Sequence, residues 1–101
     1  MSLVQLTLAA PRHLEDALVE QFLAHPDWAE GFTLFKAEGY SRHHEQLSVQ
    51  ELVRGRAERV VVQIVLEAGH AEALLDHLKT QFPKRDVAWW TTPVNGFGRL
   101  A

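Results

Sequence analysis

The segment Arg59-Val60-Val61-Val62-Gln63-Ile64-Val65-Leu66 decides the fold of this 101-residue chain. Val60, Val62, Ile64 and Leu66 fall on one side of an extended backbone, and Arg59, Val61, Gln63 and Val65 on the other. Period-two alternation with β-branched residues in both sets predicts a strand that packs on one face and is only partly polar on the second. Toward the N-terminus, Leu3 to Leu8 repeats the pattern, with Val4, Leu6 and Leu8 opposed to Gln5 and Thr7. Pro11 stands where a helix can start, and Leu14, Ala17, Leu18 and Phe22 recur at helical spacing until Pro26 ends the run. Toward the C-terminus, Gly69 closes the strand. Ala71, Leu74, Leu75, Leu78 and Phe82 then mark a second amphipathic helix, ended by Pro83. Phe32 to Ala37 and Asp86 to Thr92, rich in aromatic residues and Thr, complete four strands.

The order βαββαβ over residues 1–101 predicts one α+β domain of ferredoxin-like form. Its four-stranded antiparallel sheet carries both helices on one face. The second face then lacks cover from the chain itself. It should hold Gln5, Thr7, Val61, Gln63 and Val65, together with one aromatic-bearing set from each of the other two strands. A large exposed apolar patch is uncommon on a monomer. Self-association through this face, with Trp90, Val61 and Val65 as interface residues, is one answer. A C-terminal tail folded back over it is the other.

Composition narrows the function classes. Hydrophobic residues make up 47 % and charged residues 23 %, which excludes a disordered chain. A formal charge of −3 argues against a broad nucleic-acid-binding surface. The absence of cysteine removes disulfides, thiolate metal sites and thiol nucleophiles together. The longest nearly apolar run, Val60 to Leu66, is far below the roughly twenty residues of a membrane helix, so no membrane insertion is expected. No basic region precedes the alternating N-terminus, and the expected location is the cytoplasm. Ser41 and Ser48 have no nucleophile context and no acid–base pair stands out, which predicts a non-enzymatic role.

The polar segment 38–57 is unusually long for a small domain and is the expected functional loop. His43, His44 and Glu45 within it offer imidazole and carboxylate ligands suited to Zn, Ni, Co or Cu(II). A solvated loop tip accounts for them equally. Arg54, Arg56 and Arg59, with Lys84 and Arg85, are the basic clusters. They suit a phosphate-bearing effector such as an adenine nucleotide, or ordinary ion pairs with Glu51, Glu58 and Asp86. His70 and His77 are seven residues apart, about 10.5 Å along a helix, too far to share one ion. His13 and His25 mark the two ends of the first helix, where His25 complements the helix dipole when protonated. Trp89, Trp90 and Phe97 suit a core or a subunit interface better than a stacking surface.

The run Leu47-Ser48-Val49-Gln50-Glu51-Leu52-Val53-Arg54-Gly55-Arg56 resembles an L-S-x-x-E-x-V-x-G-R signature. It is followed by Trp90-Thr91-Thr92-Pro93-Val94 and by Gly98-Arg99-Leu100. Together these resemble a small proteobacterial family of unknown function, often encoded beside heavy-metal efflux pumps. That family is similar to the PII signalling proteins and to the CutA-like divalent-ion-tolerance proteins. Leu52 departs from the polar residue expected at its position. The resemblance implies a PII-like homotrimer with its sheets facing inward, acting as a regulator or sensor linked to heavy-metal efflux and touching the transporter. It also implies that 38–57 is the effector and partner loop, and that ligands sit between subunits near its base.

Overall fold

The computed structural model describes residues 2–40, 57–82 and 86–100. The elements follow the order β1 (Leu3–Pro11), a 3₁₀ turn (Arg12–Leu14), α1 (Glu15–Leu23), β2 (Thr33–Gly39), β3 (Ala57–Glu67), α2 (Ala68–Gln81) and β4 (Ala88–Val94). The sheet runs β2-β3-β1-β4, and every neighbouring pair is antiparallel. This is the α+β ferredoxin-like arrangement that the alternating segments predict.

Several boundaries differ from the hydrophobic pattern. β2 runs on through Glu38 and Gly39, and β3 begins at Ala57, because Glu38 pairs with Glu58 and Gly39 with Ala57. A ladder needs only backbone groups, so it continues past the last apolar residue. The segment 38–57 therefore loses Glu38, Gly39 and Ala57 to strands. α2 begins at Ala68, so Gly69 lies inside its first turn and does not mark the strand end. β4 is shifted to Ala88–Val94 and includes Pro93, which an edge strand tolerates.

The core lies between the helices and the two central strands. Leu6, Leu8 and Ala10 of β1 and Val60, Val62, Ile64 and Leu66 of β3 are buried there against Leu18 and Phe22 of α1 and Leu74, Leu75 and Leu78 of α2. No residue of β2 or β4 is buried. The edge strands thus extend beyond the shelter of the helices. Trp89, on the helical side of β4, is 46 % exposed, with the Lys79 ammonium 5.3 Å from its ring centroid.

Register fixes the composition of the open face. One row across it reads Thr33, Gln63, Thr7 and Trp90, and the next reads Phe35, Val61, Ala9 and Ala88. Val65, Gln5 and Thr92 form a third row. Phe35 is 44 % and Trp90 47 % exposed, and Val61 and Val65 are half-buried. Val61 and Val65 share the face on which their alternation places them, and the register Thr7↔Trp90 puts Trp90 there too. Thr7, between Gln63 and Trp90, is the buried polar residue at its centre.

Phe22 and Leu23 are sequence neighbours with opposite surroundings, fully buried and 68 % exposed respectively. Phe22→Ala is expected to lower stability by about 3–5 kcal/mol and Leu23→Ala by no more than about 0.5 kcal/mol. Urea denaturation of the two variants beside the wild type checks this.

Candidate functional site

β2 ends at Gly39 and β3 begins at Ala57, so these two strand ends mark the base of the 41–56 segment. At that end of the sheet β1 also turns into the 3₁₀ helix, and Asp86 leads into β4. Two arginines hold this corner. Arg12, immediately after β1, donates from Nη2 to the carbonyl of Ala37 on β2 at 2.9 Å and to that of Arg59 on β3 at 3.2 Å. Its Nη1 lies 3.7 Å from Glu58 Oε2. Arg59 reaches in the opposite direction. Its Nη2 donates to the carbonyl of Ala9 on β1 at 3.1 Å and to that of Asp86 at 2.7 Å. The planar fork of donors on a guanidinium suits this bridging of main-chain oxygens from different strands, which a lysine ammonium does less well.

The corner is only partly satisfied. Arg12 Nε and Glu15 Oε1 are buried and have no hydrogen-bond partner among the described residues. A buried donor left unused costs about 1–3 kcal/mol. The base of the 41–56 segment therefore holds two guanidinium groups, the Glu58 carboxylate paired with one of them and, among the described residues, an N–H without a partner.

Of the sequence-predicted basic residues, Arg59 is here, half-buried, with Nη2 bound to main-chain oxygens. Arg54, Arg56, Lys84 and Arg85 lie outside the described residues, as do His43, His44 and Glu45. Arg12 is the residue that sequence reasoning missed. It belongs to no motif, and its only signal is its position directly after Pro11 at a strand end. Trp89, Trp90 and Phe97 are exposed and belong to no core. His70 is exposed, whereas His77 turns toward the end of α1 and hydrogen-bonds Gln21. Among the described residues no three His, Cys, Asp or Glu side chains gather as a metal site. Among them, too, no helix is long and apolar enough to cross a membrane.

An antiparallel sheet ordered β2-β3-β1-β4 under two helices, with a long insertion at the β2–β3 corner, places the chain among PII-like folds. The chain belongs to the family described as "Protein of unknown function (DUF3240)", whose pattern it matches over residues 1–101. A crystal structure of a DUF3240 family protein from Shewanella baltica is similar over 100 % of this chain and 99 % of its own, with a TM-score of 0.79 and 24 % identity. CPII from Thiomonas intermedia, a nitrogen regulatory PII-like protein bound to ADP, AMP and bicarbonate, is similar over 100 % of this chain and 98 % of its own (TM-score 0.73, 12 % identity). CutA1 from Oryza sativa is similar over 97 % of this chain and 84 % of its own, with a TM-score of 0.72 and 11 % identity. No curated protein matches the chain.

Arg12→Met removes the bridging donors but keeps most of the side-chain bulk. It is expected to destabilise the fold by about 1–3 kcal/mol, as charged hydrogen bonds are lost at a half-exposed site. Arg12→Lys should restore little, because the fork is what spans two strands. Hydrogen exchange should quicken at Ala37 to Gly39 and Ala57 to Arg59 in both variants, while α2 stays unchanged.

Proposed function

We propose that the protein is a small cytoplasmic PII-like regulator that works as a homotrimer, its open sheet faces turned inward. The observation that carries this reading is the exposed face itself, with Phe35, Trp90, Val61 and Val65 set among Thr and Gln side chains. Burying an aromatic or valine side chain is worth roughly 1.5–3 kcal/mol, so three such faces meeting release a substantial driving force. The PII-like and CutA folds of the similar structures support a regulatory role over a catalytic one. In this reading residues 38–57 form the surface offered to a partner, a heavy-metal efflux transporter. The signal is a divalent metal or an adenine nucleotide.

A second reading concerns the ligand. The arginine corner at the base of the 41–56 segment, which holds the Arg12 and Arg59 guanidinium groups, supports an anionic effector. Arg59 with Arg54, Arg56, Lys84 and Arg85 supplies the charge in this proposal, at clefts between subunits. CPII, with its bound ADP, AMP and bicarbonate, is a protein of this fold with such ligands. A direct metal-binding role for His43, His44 and Glu45 is the competing proposal.

Sedimentation equilibrium tests the assembly. The wild type is expected at three times the chain mass at micromolar concentration, and Val61→Asp or Trp90→Asp at the mass of one chain. A monomeric wild type overturns the reading. Shortening the 41–56 segment should leave the trimer intact and abolish co-purification with the transporter. A thermal-shift screen tests the signal. A nucleotide present at a hundredfold of its Kd adds about 2.7 kcal/mol of stability, and Arg56→Ala/Arg85→Ala should remove that gain. Stabilisation by divalent ions alone, lost in His43→Ala/His44→Ala, favours the metal alternative.

A further inference from the structure

On the helical side of the molecule, away from the open sheet face, the turn after α1 meets the outer surface of α2. The His25 carbonyl accepts from the Trp28 N–H at 3.1 Å and the Ala29 N–H at 2.9 Å, and Pro26 restricts the backbone between them. Buried Phe22 and Ala29 anchor the turn at both ends. The His25 ring therefore sits on a rigid mount, stacked on Trp28 with centroids 4.6 Å apart and planes 13° from parallel. His77, from the middle of α2, brings its ring to 4.3 Å from that of His25, with the planes at 67°. His77 Nε2 in turn lies 2.6 Å from Gln21 Oε1 on α1. All four side chains are half-buried, neither sealed in the core nor free in solvent.

We propose that His25 and His77, completed by the Gln21 amide oxygen and by water, bind one transition-metal dication, with Cu(II) favoured over Ni(II) and Zn(II). The chemistry of the donors points this way. Two imidazoles and an amide oxygen, with no thiolate, suit these ions, and the order of affinities among them follows the general ranking for nitrogen and oxygen ligands. The geometry agrees. An ion holds imidazole nitrogens at about 2.0–2.1 Å, which places two coordinating rings with centroids roughly 4.5–5.2 Å apart for angles between square and tetrahedral. The observed 4.3 Å is within a few tenths of an ångström of that range. His77 Nε2–H donates to Gln21 Oε1 at 2.6 Å; ion binding replaces this proton, and the two atoms then stand at the roughly 3 Å of adjacent coordination positions. The site uses helices α1 and α2, so it is independent of His43 and His44 and remains reachable when the sheet faces are buried in an assembly.

The test is calorimetric titration of the full chain with Cu(II), Ni(II) and Zn(II) in a His43→Ala/His44→Ala background. One Cu(II) per chain is expected to persist there. His25→Asn and His77→Asn should each weaken it by tenfold or more, and His70→Asn and His13→Asn should not. Electron paramagnetic resonance of the Cu(II) complex should show two imidazole nitrogens, falling to one in either single variant. This signal reports on the ligands of whatever fraction of the variant is folded. Loss of all binding in the His43→Ala/His44→Ala background overturns the proposal, as does Cu(II) affinity that is indifferent to both His25→Asn and His77→Asn. Neither result bears on the trimer, which sedimentation decides separately.

Discussion

Two helices cannot cover four strands on both sides, and most of this molecule follows from that geometric limit. α1 and α2 shelter β1 and β3, so the buried strand residues come from those two. β2 and β4 keep their side chains in contact with solvent on the helical side as well as on the open one. The aromatic residues of the edge strands, Phe35, Trp89 and Trp90, are thus left about half exposed in a solitary subunit. In the proposed assembly, the aromatic residues of the open face would be covered by another copy.

The arginine corner solves a second problem. A sheet whose strand ends flank a long insertion has few side chains available to keep those ends in register. Arg12 binds a carbonyl on β2 and one on β3, and Arg59 binds one on β1 and one at Asp86, before β4. The carbonyls of all these segments converge on two guanidinium groups. A ligand that competes for either group would alter the restraint on β2 and on the approach to β4 together. The same cation pair therefore links the base of the 41–56 segment to the strand that carries Trp90.

The fold was legible because its central strand is unambiguous. The alternation of Val60, Val62, Ile64 and Leu66 sets the register, and the repeats at Leu18, Phe22, Leu74 and Leu78 set the helical faces. Boundaries were less legible where backbone pairing outlasts hydrophobicity, as at Glu38–Glu58 and Gly39–Ala57. The placement of Val61 and Val65 on one face was readable from parity within their strand, whereas the choice between Trp89 and Trp90 needed the register Thr7↔Trp90. Arg12 was not, because its partners are 25 and 47 residues away. The meeting of His25 with His77 was hidden for the same reason. Within α2, spacing separates His70 from His77, and nothing local indicates that His77 reaches the turn after α1. His43, His44, Glu45, Arg54, Arg56, Lys84 and Arg85 lie outside the described residues.

Pro93 has a consequence for the geometry of growth. A proline can occupy a ladder only with its nitrogen turned away from the neighbouring strand, so the outer rim of β4 lacks a donor at that point. The opposite rim, β2, carries Lys36 and Glu38, charges that discourage strand-by-strand extension. Both margins thus resist the open-ended stacking that leads to fibrils. The open sheet face, and not either rim, is then the surface on which the proposed assembly would close.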